Sequence, residues 1–200
     1  MGLRTIGAVL TPVVAFALSR PGLLDLPFAQ GWLLSSLISL AVYLFAFWKL
    51  RHIAYLFTSC AAVASSVGAA VYSIAPEWMP FALVLTCCGL LLAEQWITPR
   101  AASFGAAPRW VAVLGVPLVF LLAFFWRNLD IISTQMFTLV LWAMVVFYAL
   151  GTYFKRTNIW MSLTVAFLIF AQVAVAITYE LEAGERSLLY IGTALVLLAG

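Results

Sequence analysis

Two stretches of the chain, 105 positions apart, share one arrangement: an aromatic-rich apolar run, a Lys/Arg cluster and a second apolar run. They are YLFAFWKLRHIAY (Tyr43–Tyr55) and YALGTYFKRTNIW (Tyr148–Trp160). A short, positively charged loop between two apolar runs is typical of two membrane-spanning helices joined on the cytoplasmic side. These two basic elbows therefore predict an all-α fold, a polytopic transmembrane helix bundle.

Composition places the chain in the same class. Hydrophobic residues make up 66% of the 200 residues and charged residues 8%, whereas soluble domains contain about 25% charged residues. The net charge of +3 is small and lies between the apolar runs, so we interpret it as a topology signal rather than a nucleic-acid-binding surface. Cys60, Cys87 and Cys88 lie inside apolar runs without disulfide or metal-ligand spacing, which indicates a packing role.

The apolar segments number eight. They lie near residues 5–19, 32–48, 53–75, 79–97, 110–126, 131–154, 158–179 and 187–200. Most approach the roughly 20 residues that a span needs, while the first and last are short. The first segment also has signal-peptide features, but its match to a later segment favours a membrane span.

Scarce residue types recur at one offset along the chain. Pairs separated by 105 positions are Arg4 and Arg109, Pro12 and Pro117, Asp25 and Asp130, Gln30 and Gln135, Tyr43 and Tyr148, Arg51 and Arg156, and Glu77 and Glu182. We interpret them as a tandem repeat of a four-helix unit, with repeats at 1–97 and 109–200 and a cytoplasmic linker at 98–108. Four crossings give both repeats the same orientation. The alternative is a chance register between two hydrophobic halves.

Basic residues predict the orientation. The side of the basic elbows has Arg4, Lys49, Arg51, Arg100, Arg109, Lys155 and Arg156. The opposite side has only Arg20, Arg127 and Arg186, together with most of the acidic residues. The positive-inside rule therefore predicts a multi-pass protein of the plasma (inner) membrane with both termini in the cytoplasm.

Two features concern helix packing. Pro12 and Pro117 lie at matching places in spans one and five, and they predict either matching kinks or shared packing features. Span three has small residues four apart, among them Ala61, Ser65 and Ala69. Such a face lets neighbouring backbones approach closely, which predicts a central helix of the bundle; the alternative is a dimer contact.

Polar residues and the repeat coincide at the outer mouth of the predicted bundle. The candidate ligand-binding residues there are Arg20, Asp25, Gln30, Arg127, Asp130 and Gln135. These residues could bind a ligand that arrives from outside the cell. The alternative is a solvated loop whose local ion pairs contribute little.

Few other positions offer chemistry. The sequence contains no catalytic constellation and no metal-ligand spacing, so we predict no catalytic residue, no metal site and no cofactor. Glu94 and Glu180 lie at span ends, which favours interfacial carboxylates, and Gln172 near the middle of a span predicts an interhelical hydrogen bond. The other mid-span positions are almost all apolar, Gly, Ser, Thr or Cys, so we expect no continuous polar path across the membrane.

The last segment, SLLYIGTALVLLAG (Ser187–Gly200), ends while still apolar, which predicts that the chain is the membrane part of a longer protein. With both termini cytoplasmic, it resembles the multi-span N-terminal membrane input domains that precede cyclase or kinase domains in bacterial signalling proteins. The resemblance rests on architecture alone and implies a sensory or anchoring module followed by a cytoplasmic output domain. The alternative is a transporter of small apolar or lipid-like solutes, or an accessory membrane subunit. The expected partners are the lipid bilayer and a second copy or another membrane subunit, not nucleic acid.

Overall fold

The computed structural model describes residues 27–199, with side chains up to residue 194. This part of the chain forms seven α-helices and a 3₁₀ turn (Pro76–Trp78), without strands. The helices are α1 (Phe28–Leu50), α2 (Ile53–Ile74), α3 (Met79–Ile97), α4 (Ala102–Asn128), α5 (Thr134–Lys155), α6 (Asn158–Thr178) and α7 (Ala183–Ala199). The predicted all-helical class is confirmed for these residues.

Six helices, α1 to α6, are long and apolar enough to cross a membrane. They contain 21 to 27 residues when the 3₁₀ turn is counted with α3. At about 1.5 Å per residue, even the shortest is about 31 Å long, which matches a hydrocarbon core of about 30 Å. Many of their large apolar side chains, such as those of Leu118 and Phe125, point outward and are exposed. The structure is therefore compatible with a multi-pass membrane protein.

Two predicted segments, the last span and the linker, differ from the described helices, and one other cannot be compared. The predicted span at 5–19 lies outside the described residues. The predicted last span corresponds to α7, which has 17 residues and includes Glu185 and Arg186 in its first turns. Helix α4 begins at Ala102, inside the predicted linker 98–108, and continues through Pro108 and Pro117. The linker was predicted from hydropathy, which indicates where the chain enters the membrane and not where the helix begins.

The described chain divides into two compact units, with the boundary inside α4 between Val119 and Phe120. In the N-terminal unit, α2 packs against both α1 and α3. Its small residues Ala62, Ser66 and Ala69 are buried in these contacts. The predicted close packing of this helix is thus seen in its contacts with α1 and α3, whereas Ala61 of the predicted face is exposed. A central place in the whole bundle stays a prediction.

A two-residue turn joins α1 to α2. Arg51 adopts the left-handed conformation (φ 50°), and its N–H donates to Phe47 O at 2.8 Å. His52 then caps α2, because its Nδ1 accepts a hydrogen bond from Ala54 N–H at 3.2 Å. The first basic elbow is thus a tight helical hairpin.

In the C-terminal unit, α5 and α6 form a second hairpin with the same kind of turn. Arg156 is left-handed (φ 48°), and its N–H donates to Thr152 O at 2.9 Å. The core between the helices is apolar and consists of Leu141, Val145, Leu168, Ala171 and Ala174, with Phe120, Phe137 and Phe167 packed against it. Gln172 Nε2 donates to Thr193 Oγ1 of α7, which confirms the predicted interhelical hydrogen bond.

Gly151 provides a test of the second hairpin. A Cβ at this position would overlap the Trp160 ring and lie 2.6 Å from its Cδ2. That ring is held by Phe147 and Tyr148, whose ring centroids lie 5.7 and 5.9 Å away. We predict that Gly151→Ala lowers the stability of the C-terminal unit by about 1–3 kcal/mol through overpacking, measured as a lower Tm in detergent. Gly192→Ala is the control, since a Cβ there has no neighbour within 4 Å; equal Tm values for the two variants would contradict the prediction.

Candidate functional site

The structure brings together two of the six residues predicted at the outer mouth. Arg127 Nη1 donates to Asp130 Oδ1 at 3.0 Å, across the turn between α4 and α5. The Asp130 side chain is 89% exposed, and the residue has a left-handed backbone (φ 54°). An exposed pair three residues apart contributes little to stability.

Of the other four predicted residues, the structure describes Gln30 and Gln135. Gln30 is exposed in the first turn of α1, and Gln135 is exposed near the start of α5. Arg20 and Asp25 lie outside the described residues. Ligand binding at the outer mouth therefore stays a prediction.

A more developed site lies between α1 and α2. Here the N-terminal unit holds a cavity of about 380 Å³, within the range of about 300–1,000 Å³ that is usual for small-molecule pockets. Its lining combines hydroxyl groups, aromatic rings and alanines, and none of the lining residues that the structure describes is an acid, a base or a histidine. The residues are Trp32, Ser35, Ser36, Ser39 and Tyr43 of α1, and Phe57, Thr58, Ala61, Ala62 and Ser65 of α2.

Helical spacing explains the hydroxyl-rich wall. Ser35, Ser36, Ser39 and Tyr43 recur at intervals of three and four residues, so they share one face of α1. All four are buried. Ser39 is the middle residue of α1, about 16 Å from either end of the helix, so the wall lies at mid-membrane depth if α1 spans the bilayer. Because serine and alanine are short, the facing stripes leave a space that larger side chains would fill.

Hydrogen bonds tie the two walls together. Trp32 Nε1–H donates to Ser65 Oγ at 3.0 Å, and the hydroxyl oxygens of Ser36 and Ser65 lie 2.8 Å apart. The Ser35 hydroxyl donates to Trp32 O at 2.9 Å, within its own helix. The Trp32 ring also packs against the Tyr72 ring of α2, with centroids 6.0 Å apart. These contacts hold Trp32, Ser36 and Ser65 in position at the Trp32 end of the cavity.

The Ser39 hydroxyl differs from its neighbours. The residue is only 5% exposed and lines the cavity, yet its hydroxyl has no hydrogen-bond partner among residues 27–199. A serine hydroxyl supplies one donor and can accept two hydrogen bonds. The Ser39 hydroxyl is thus available to a molecule in the cavity.

The corresponding seam of the C-terminal unit is filled. The residues 105 positions after Ser35, Ser36 and Ser39 are Val140, Leu141 and Met144, and all three are at most 2% exposed. Sequence reasoning missed the cavity because it treated membrane serines as small packing residues. The available signal was a set of hydroxyls on one helical face in the first half where the second half has large apolar side chains.

A buried ion pair lies elsewhere in the N-terminal unit. The Glu94 side chain, in the last turn of α3, is 3% exposed, and its Oε1 lies 3.5 Å from Arg109 Nη1 of α4. Sequence reasoning placed Glu94 at a span end but did not predict this pair. The pair links α3 to α4, and neither of its residues lines the cavity between α1 and α2.

The two ion pairs of the described residues should respond differently to mutation. We predict that Arg109→Leu lowers stability by about 1–3 kcal/mol, because a buried carboxylate loses a charged partner. Arg127→Leu, which removes the exposed pair, should cost less than about 1 kcal/mol. Thermal unfolding in detergent measures both, and Glu94→Gln in the Arg109→Leu background should recover part of the loss. Equal losses for the two arginine variants would show that burial of Glu94 is not the cause.

Comparisons with known proteins do not indicate a function for this chain. No protein-family model, no curated protein and no solved structure matches the chain. The proposals that follow rest on the geometry of the described residues and on the distribution of charge in the sequence.

Proposed function

We propose that the chain is a membrane sensory module, the input part of a bacterial signalling protein, and that it recognises its ligand between α1 and α2. The observation that supports this proposal is the cavity itself. It is uncharged, lined by hydroxyls and aromatic rings, and centred on the middle of a span-length helix. The outer-mouth residues Asp130 and Arg127 form only an exposed pair, so the cavity is the better candidate for recognition.

A ligand in this cavity would contact both helices of one hairpin. It can shift a conformational equilibrium only if it binds one helix arrangement more tightly than the other. The tight Arg51–His52 turn joins the two helices, so a change in their separation also changes the geometry at the basic elbow. Movement at the elbow is the proposed output toward the cytoplasm.

A transporter of small apolar or lipid-like solutes is the second candidate. It is favoured by the mid-helix position of the cavity, since transporters often bind substrate near the midplane at the interface between repeats. The filled seam at Val140, Leu141 and Met144 favours the sensor, because the second hairpin does not repeat the cavity at the corresponding seam.

We further propose that the chain consists of two parallel four-helix repeats and eight spans, with α7 as the last span. Corresponding helices begin 104 to 106 positions apart, as α1 and α5 do, and the turn residues Arg51 and Arg156 share a left-handed backbone. Burial follows the same register: five buried positions of α1 match five of α5, namely Gly31 with Met136, Ser35 with Val140, Ser36 with Leu141, Ser39 with Met144 and Tyr43 with Tyr148.

The proposed orientation has both basic elbows and both termini in the cytoplasm, in the inner membrane. If α1 to α6 all cross the membrane, six described basic residues lie on the elbow side: Lys49, Arg51, Arg100, Arg109, Lys155 and Arg156. The opposite side then has Arg127 and Arg186 with the acidic residues Glu77, Asp130, Glu180, Glu182 and Glu185. This asymmetry follows the positive-inside rule.

Cysteine labelling tests the orientation. In a background with Cys60, Cys87 and Cys88 replaced by alanine, Lys49→Cys and Lys155→Cys should be protected from an impermeant maleimide in intact cells. Glu77→Cys and Glu180→Cys should react, because they lie on the outer side. Labelling of either elbow in intact cells would refute the proposed topology.

A reporter and a flux assay together test the function. With a cyclase domain fused after Gly200, Ser36→Leu should change reporter activity at least about twofold, because it fills the cavity with the residue of the second hairpin. Ser162→Leu on the exposed face of α6 should leave the activity unchanged.

The isolated chain in liposomes should conduct neither protons nor potassium ions. Uptake of a fluorescent lipid analogue by these liposomes, with no change in the reporter, would favour the transporter.

A further inference from the structure

The hydrogen-bonding groups of the cavity define the chemistry of its ligand. We infer that the cavity between α1 and α2 binds an uncharged, lipid-like molecule whose head group has a hydrogen-bond acceptor, such as a carbonyl, ester or ether oxygen. This inference rests on the proposed function, because it names the ligand class for the same site. It follows from the supply of donors, the absence of charge and the shape of the space.

The linked residues Trp32, Ser65 and Ser36 have one donor more than they use. Each serine hydroxyl supplies one proton and can accept two hydrogen bonds. Ser65 Oγ accepts the indole N–H, and one proton lies between Ser36 and Ser65. Whichever serine donates in that bond, the proton of the other remains, so one hydroxyl donor is available in the cavity.

Ser39 supplies a second donor. It lies three residues after Ser36, one turn further along the same face of α1. The residue is buried and lines the cavity, and its hydroxyl is unpartnered among the described residues. Two neighbouring hydroxyl donors favour an acceptor oxygen between them or a head group with two acceptors.

The hydroxyls of Ser35 and Thr58, which also line the cavity, do not add to this supply. Ser35 donates to Trp32 O, and Thr58 Oγ1 lies 3.1 Å from the carbonyl oxygens of Ala54 and Tyr55. Their protons are used within their own helices. Among the serine and threonine hydroxyls of the lining, the available donors are therefore that of Ser39 and that of either Ser36 or Ser65.

Charge and shape define the rest of the ligand. None of the described lining residues could neutralise an ion, and an unpaired charge at mid-membrane is costly. The wall follows α1 for twelve residues from Trp32 to Tyr43, a rise of about 16 Å, or about half of the hydrocarbon core. Phe57 and Ala61, on the opposite wall, are exposed and provide an opening. An elongated, mostly apolar molecule with a neutral polar group fits these limits.

Photolabelling distinguishes this ligand class from the alternatives. The full chain in lipid nanodiscs is exposed to three probes with the same diazirine-bearing alkyl chain: a methyl ester, the plain hydrocarbon and a trimethylammonium salt. The ester should label α1 and α2 around Ser39 and Ala61 at least about fivefold more than either other probe. Ser39→Ala should reduce ester labelling about fivefold, as expected for loss of a hydrogen bond to the head group.

Matched variants control for folding. Ser66→Ala also removes a buried serine hydroxyl from α2, but that hydroxyl bonds to Ala62 O of its own helix at 2.8 Å and does not line the cavity. It should label like the wild type. The filled variant Ser35→Val/Ser36→Leu/Ser39→Met should lose ester labelling, and Ser39→Ala provides the test if the triple variant fails to fold.

Three results would overturn the inference. Equal labelling by the ester and the hydrocarbon would indicate a plain acyl-chain groove, and preference for the cation would exclude a neutral ligand. A photoreactive residue at position 61 that crosslinks two chains would show that a second copy covers the cavity. Ester labelling that responds to Ser39→Ala while Ser36→Leu leaves the reporter unchanged would retain the ligand class and refute the sensory function. If Ser36→Leu changes the reporter but Ser39→Ala leaves ester labelling unchanged, only the ligand class is refuted.

Discussion

A bilayer offers no water to pair polar groups, and this constraint accounts for most of the described structure. Backbone N–H and C=O groups must bond within a helix or a closed barrel, and this chain uses helices. Polar side chains within the spans must likewise find partners in the protein. Thr138 pairs with Thr178, Thr152 with Thr164 and Gln172 with Thr193. Each of these bonds joins two neighbouring helices, so the same groups that are costly to bury also fix helix pairs.

Against this background, the first hairpin is unusual. The α1–α2 hairpin has hydroxyl groups along one seam, and not all of them have a hydrogen-bond partner among the described residues. The α5–α6 hairpin has aliphatic side chains and Met144 along the corresponding face of α5. A packed apolar seam gains dispersion contacts along its whole length. The serine seam forgoes much of that gain and keeps an open space instead. The difference between the seams is therefore the structural feature on which the proposed recognition site in the N-terminal unit depends.

Sequence reasoning predicted the helices well where hydropathy and chain length decide the outcome. The hairpin around Lys49–His52 was predicted because a basic tetrapeptide between two long apolar runs indicates a short loop between two helices. The start of α4 was missed because the residues from Ala102 to Arg109 are less apolar than a span but still form helix. The cavity and the Glu94–Arg109 pair were missed for another reason. Both depend on which faces of two helices meet, and hydropathy along one segment does not report this.

The two elbow arginines combine two requirements in one residue. Arg51 and Arg156 adopt a left-handed backbone that glycine reaches more easily, so local conformation alone would favour glycine at both turns. In the proposed orientation, the same side chains contribute to the positive charge that holds the elbows in the cytoplasm. Replacement by glycine would relax the turn but weaken the charge bias, and replacement by a β-branched neutral residue would impair both. Lysine would keep the charge without removing the strain. At positions 51 and 156, membrane orientation thus favours a basic residue, whereas the left-handed backbone favours glycine.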